Sequence, residues 1–118
     1  MPRTELQEIG RSGEDRALAY LQQQGLELVA RNFLCKVGEL DLIMRDGRHL
    51  VFVEVRERNS PRFGGAAASI SPAKQRRIVR AAQFYLLRCK PLPPCRIDIV
   101  AIDGDRINWL RNAIIDQM

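Results

Sequence analysis

The sequence predicts an α/β domain: a mixed central β-sheet flanked by helices. Three observations lead there. Two segments, one from Ser12 to Gln24 and one opening at Ser71-Pro72, carry apolar residues at helical spacing. Residues 38–58, GELDLIMRDGRHLVFVEVRER, hold two apolar strand-like runs around an Asp-Gly turn. The second helical segment falls between that hairpin and another strand-turn-strand, an order that packs helices on a sheet.

Each element has its own signal. In the first helix Ala17, Leu18 and Leu21 form the apolar face, Ser12 is placed as N-cap with Asp15 three residues on, and Gly25 is a natural stop. Residues 26–35 alternate loosely as a strand, and the 38–58 hairpin follows. Residues 59–71, NSPRFGGAAASIS, offer few anchors, and an internal loop of that length is often functional or mobile. Ser71 caps the second helix, Pro72 suits its first turn, and Ile78, Ala81, Ala82, Tyr85 and Leu86 recur on one face. After PLPPC at 91–95, residues 96–102 read as a strand, Asp103-Gly104-Asp105 as a turn and residues 106–110 as the returning strand. The expected order is α-β-β-β-α-β-β in one domain spanning 1–118.

Composition narrows the function classes. At 118 residues a single core is stable without staples. Three cysteines without a CxxC pair and one histidine, His49, argue against a zinc site. The odd cysteine count and the lack of a secretory leader pattern point to the reducing cytoplasm. No apolar run approaches the roughly 20 residues a membrane helix needs. Nineteen basic against 14 acidic residues leave a net charge of +5, which favours a polyanionic partner such as nucleic acid.

The hairpin raises a chemical question, because Glu39, Asp41 and Glu54 lie inside its strands, where acids are poor strand formers. With Asp46-Gly47 as a two-residue turn, Arg45 pairs with Arg48, Asp41 faces Phe52 and Glu39 faces Glu54. Alternation then sets Glu39, Asp41, Phe52, Glu54 and Arg56 on one face, and Leu40, Leu42, Val51, Val53 and Val55 on the core face. Asp41 and Glu54 become diagonal neighbours within reach of each other, and the like charges at Glu39 and Glu54 call for a cation between them. Arg56 is one candidate. A divalent ion is the other, since Mg²⁺ takes one or two carboxylates, keeps waters and leaves room for a phosphate. The plain alternative is a solvated charged face.

The segments GELDLI and VFVEVRER resemble the PD-(D/E)xK nuclease core. More broadly, GRSGEDRALAYL at 10–21, RNF at 31–33, FGGA at 63–66, Lys74 and RIDIV at 96–100 resemble the YraN family of uncharacterised bacterial proteins, which are similar to archaeal Holliday-junction resolvases. The resemblance implies a restriction-endonuclease-like fold, with Asp41 and Glu54 as ligands of Mg²⁺ or Mn²⁺. Glu14 resembles the acid that resolvases bring to the same site from a helix; favourable placement at a helix N-terminus is its other reading. Arg56 stands where the nuclease pattern has Lys, and Leu40 where it has Pro. An arginine stays protonated, so it can steady charge on a phosphate but cannot act as the base. The resemblance also admits a homodimer, with no stretch of sequence that identifies an interface.

On the second helix Lys74, Arg77 and Arg80 are the candidate DNA-binding residues, part of a basic strip that continues to Phe84 and Arg88. Asp98 reads as a structural hydrogen-bonding acid and Trp109 as core. The function expected is metal-dependent endonucleolytic hydrolysis of a phosphodiester in DNA, branched or damaged DNA included. The alternative is a non-catalytic nucleic-acid-binding module that keeps the nuclease fold.

Overall fold

The computed structural model of the chain describes residues 5–58 and 70–114, with side chains in the first helix from Gly13 onward. The loop expected over 59–71 lies outside the described residues except for Ile70 and Ser71. Helix α1 (Glu5–Gln23) leads to strands β1 (Glu27–Cys35), β2 (Gly38–Asp46) and β3 (His49–Arg58), then helix α2 (Pro72–Leu86), β4 (Cys95–Asp103) and β5 (Arg106–Leu110). The strands form one sheet in chain order, antiparallel except for β3 and β4, which run parallel with α2 as their crossover. The mixed α/β architecture and the element order are those expected, and the topology is compatible with a restriction-endonuclease-like fold. No helix among the described residues is long and apolar enough to cross a membrane.

Helix α1 starts at Glu5, so Ser12 lies in its interior and is not a cap. Its end is as expected. Gly25, at φ +96°, takes the left-handed position, with Leu26 N–H on the Leu21 carbonyl and Gly25 N–H on that of Gln22. Helix α2 begins as the Ser-Pro pair dictates: Ser71 Oγ accepts from the Lys74 amide at 3.1 Å.

The hairpin register is a correction. Asp46 pairs with His49, so Gly47 and Arg48 form the two-residue turn. Gly47 has φ +61°, the first central position of a type II′ turn, for which Gly-X is preferred. Each partner thus shifts by two residues from the expected pairing. A shift of two does not by itself move a side chain to the other face, because alternation has period two.

The face that carries the acids is not a solvated one. Phe52, expected there among charges, is buried in the core beneath α2 with Ile43, Leu50, Ile78 and Ala81. The opposite face packs Leu42, Met44, Val51 and Val53 against Ala17 and Leu21 of α1. Helices therefore cover both faces. Leu40, expected beside Leu42, joins the α2-side core instead, so strict alternation along β2 is interrupted between them, at Asp41.

Close approach fixes the start of β2. A Cβ on Gly38 would stand 3.1 Å from the Arg77 carbonyl oxygen of α2. Only glycine lets that strand lie against the helix backbone without displacement.

Candidate functional site

The site forms where β2 and β3 part. Their ladder ends at the pair Leu42 and Val53, and one step beyond come Asp41 and Glu54. There the Val55 amide donates to Asp41 Oδ2 at 2.9 Å, so a side-chain carboxylate receives the backbone N–H. Strand β3 stays paired with β4 through Arg58, which leaves Glu54 on a supported strand. The two acids, expected as diagonal neighbours, sit one register step past the last pair, near enough for the Asp41 charge to act on Glu54.

Their environment favours the protonated forms. Glu54 is 3% exposed. Burial, and then the Asp41 charge, push its carboxyl up to about 8 against the opposing pull of Lys74 and Arg56. Asp41 is pushed up to about 6, first by burial and then by the charges of Glu14 and Glu39, with the Val55 amide and Lys74 pulling the other way. Two carboxyls side by side in such a site, one raised by the charge of the other, need a proton or a cation between them.

Glu14 lies in the middle of α1, nine residues from its start, so favourable placement at a helix N-terminus does not account for it. Its carboxylate accepts from Arg31 at 3.3 Å, and its charge reaches Asp41. Lys74, expected as a DNA contact, turns inward: its Nζ is 3.8 Å from Glu54 Oε1. Arg56 is half-buried on β3 and acts on Glu54 through its charge. Arg77 and Arg80 follow Lys74 along α2 on its exposed side. The fold thus brings Glu14, Asp41, Glu54, Arg56 and Lys74 to one place, from α1 on one face and α2 on the other, and leaves Arg77 and Arg80 outside it.

The inward turn of Lys74 was missed by sequence reasoning. The usable signal was the crossover: a helix that joins two parallel strands starts near the carboxyl end of the first, where ligand sites of α/β sheets form. Lys74 sits in that first turn.

A second buried acid gives a contrast. Asp98, fully buried, accepts from Arg96 Nε at 3.1 Å, Trp109 Nε1 at 2.9 Å and the Asn112 amide at 2.8 Å. Arg96 also reaches Asp46 at 2.8 Å, tying β4 to the hairpin. Asp98 is a saturated structural anion, as its sequence setting suggested.

The donor set suits a divalent ion held by few protein ligands. Asp41 Oδ1, on a half-buried side chain, and buried Glu54 are two carboxylate donors, and Mg²⁺ commonly takes one or two. Among the described residues no group of three or more His, Cys, Asp or Glu is arranged to hold a metal ion by itself.

The model of the uncharacterised protein family UPF0102 matches residues 13–102. A UPF0102 protein of Janthinobacterium sp. (strain Marseille) is 60% identical over 113 residues, 96% of this chain and 92% of its own length. One from Herminiimonas arsenicoxydans is 58% identical over 113 residues, 96% of this chain and 91% of its own. Another, from Cupriavidus taiwanensis, is 60% identical over 106 residues, 88% of this chain and 80% of its own.

Proposed function

We propose, for a chain that belongs to the uncharacterised protein family UPF0102, that it hydrolyses a phosphodiester of DNA, branched or damaged DNA included, with Mg²⁺ or Mn²⁺ as cofactor. The observation that carries the reading is half-buried Asp41 beside buried Glu54, one step past the end of the β2–β3 ladder, with the Lys74 ammonium 3.8 Å from Glu54. A buried like-charge pair is costly unless a cation completes it, and such pairs cluster at functional sites.

Asp41 Oδ1 and Glu54 would hold the ion. When bound, it neutralises the phosphate and makes a water more acidic. Glu14, on the α1 side of Asp41, adds negative charge that favours cation binding. Lys74 orients the attacking water beside Glu54 and supplies the positive charge that the nuclease pattern draws from its own lysine. Arg56 steadies negative charge on the phosphate oxygens by charge-assisted hydrogen bonds. Water attacks in line and releases its proton to solvent, the bond to the leaving oxygen breaks and that oxygen takes up a proton from solvent, and no covalent intermediate with the protein forms.

The test is cleavage of flap, junction and duplex DNAs with Mg²⁺ and with Mn²⁺, comparing the wild-type protein with Asp41→Asn and Glu54→Gln. The expected result is cleavage by the wild type alone, with DNA binding kept by both variants. Binding without cleavage by the wild type under either metal would replace this reading with the non-catalytic nucleic-acid-binding module.

A further inference from the structure

A cavity of about 350 Å³ opens at the other end of α2, between that helix, the tip of the β2–β3 hairpin and the segment leading into β4. Arg45, Arg48, Arg88 and Lys90 line it, with Tyr85 and Leu50 in its wall, and no Asp or Glu among the described residues does. Like charges gathered around one concavity repel, so the fold gains nothing from collecting four of them unless an anion enters.

The neighbouring carboxylates leave the cavity basic. Glu27 pairs with Arg45 across the β1–β2 ladder and is exposed. Asp46 is engaged by Arg96 at 2.8 Å. Arg88 is held in place, its guanidinium 5.0 Å from the Phe33 ring centre and 4.8 Å from that of Tyr85. Stacking of this kind orients the guanidinium plane and leaves its N–H edge to meet phosphate oxygens.

The cavity and the acidic pair share one side of the sheet. Leu50, in the cavity wall, packs in the α2-side core, and Glu54 meets Lys74 of α2 four residues further along the same strand. At about 3.3 Å per residue the separation along β3 is roughly 13 Å. Every nucleotide of a strand carries a phosphate, so a strand that reaches the acids has one a few nucleotides away for the cavity.

We infer that this cavity binds a backbone phosphate of the same nucleic-acid strand that reaches Asp41 and Glu54, and that it sets which bond is presented to them. The inference rests on the nucleic-acid reading above and does not depend on cleavage.

The experiment uses a labelled duplex with a single-stranded tail, bound by the full chain carrying Asp41→Asn so that strand scission cannot interfere. Into this background go Arg45→Gln/Arg48→Gln, Arg48→Gln/Lys90→Gln as a second pair, and Arg106→Gln/Arg111→Gln on β5 and the turn after it as a charge-matched control. Thermal unfolding checks that each folds. Both cavity pairs are expected to lose about tenfold in affinity at about 0.1 M salt and to flatten the salt dependence by about one phosphate, the control pair far less. Equal losses in cavity and control pairs would reduce the effect to net charge and overturn the inference. So would unchanged DNA affinity in the cavity pairs together with thermal stabilisation by a nucleoside monophosphate or inorganic phosphate that those pairs abolish, which would assign the cavity to a free phosphorylated molecule. Failure of the cleavage assay with the wild type leaves this binding comparison intact, so the two readings fail separately.

Discussion

Lys74 Nζ of helix α2 stands 3.8 Å from Glu54 Oε1 of strand β3. The contact crosses from the first turn of a crossover helix to the strand that precedes it. It puts a lysine at the acidic pair although the strand itself carries Arg56.

Lys74→Met is expected to lower metal-dependent cleavage by about 10²–10³-fold, the usual cost of one well-placed electrostatic group. The same change should drive the Glu54 carboxyl further up, because Lys74 pulls it down in the native protein. Carbon-detected titration of Glu54 in the variant reads that shift without reference to activity. A carboxyl that titrates as in the wild type would remove Lys74 from the site.

The pH dependence of stability follows from two raised carboxyls. Asp41, at about 6, and Glu54, at about 8, hold protons in the folded protein that the unfolded chain has released. Stability is therefore full below the ordinary carboxylate range and declines as pH rises through about 8, by on the order of a few kcal/mol. Melting curves between about pH 5 and 9 measure the decline. Added Mn²⁺ should raise the midpoint more at pH 8 than at pH 6, because its ligands must lose their protons first. A flat profile without metal would contradict the shifts.

The two buried acids should respond in opposite ways. Glu54→Gln removes a raised carboxyl and is expected to stabilise the metal-free protein at pH 8. Asp98→Ala leaves the Arg96 guanidinium, the Trp109 N–H and the Asn112 amide without their acceptor and should cost about 3–5 kcal/mol. Chemical denaturation of the two variants at pH 8 tests the contrast.

Two glycines make a further pair. Gly38→Ala sets a methyl 3.1 Å from the Arg77 carbonyl of α2, which is backbone and cannot swing away, so a loss of about 1–3 kcal/mol is expected. Gly13→Ala meets only the flexible end of Glu57 at 3.1 Å and gains helix propensity, so its effect should be near zero or stabilising by up to about 1 kcal/mol. Midpoint shifts in urea decide between these outcomes.

Much of the fold was legible because local chemistry and packing agree. Ser71-Pro72 opens α2, Gly25 closes α1, and β5 spans the residues its pattern named. The start of α1 was not legible, since Ser12 and Asp15 imitate a cap in a helix that extends seven residues further back. The hairpin turn failed through competition between two Gly-containing types. Asp-Gly suits a I′ turn, whereas here Gly47 takes the first central place and Arg48 the second. At the site, the grouping of Asp41 and Glu54 was legible from alternation alone. Their burial was not, because the pattern of one hairpin does not show that α2 will cover its charged face. Lys74 stood apart from Arg77 and Arg80 only as a match to the family pattern, and nothing in the basic strip shows that it turns toward Glu54.

Asp41 divides its labour between its two oxygens. One is committed to the Val55 amide and substitutes for a peptide carbonyl that the diverging strand has carried away. The other takes no part in that junction and is the point of attachment this acid offers a guest, with the rest of any ion's coordination sphere falling to Glu54, solvent and substrate. An asparagine can keep the architectural half of that bargain while surrendering the chemical half. That makes Asp41→Asn a sharper instrument than alanine, which would lose the strand junction together with the charge.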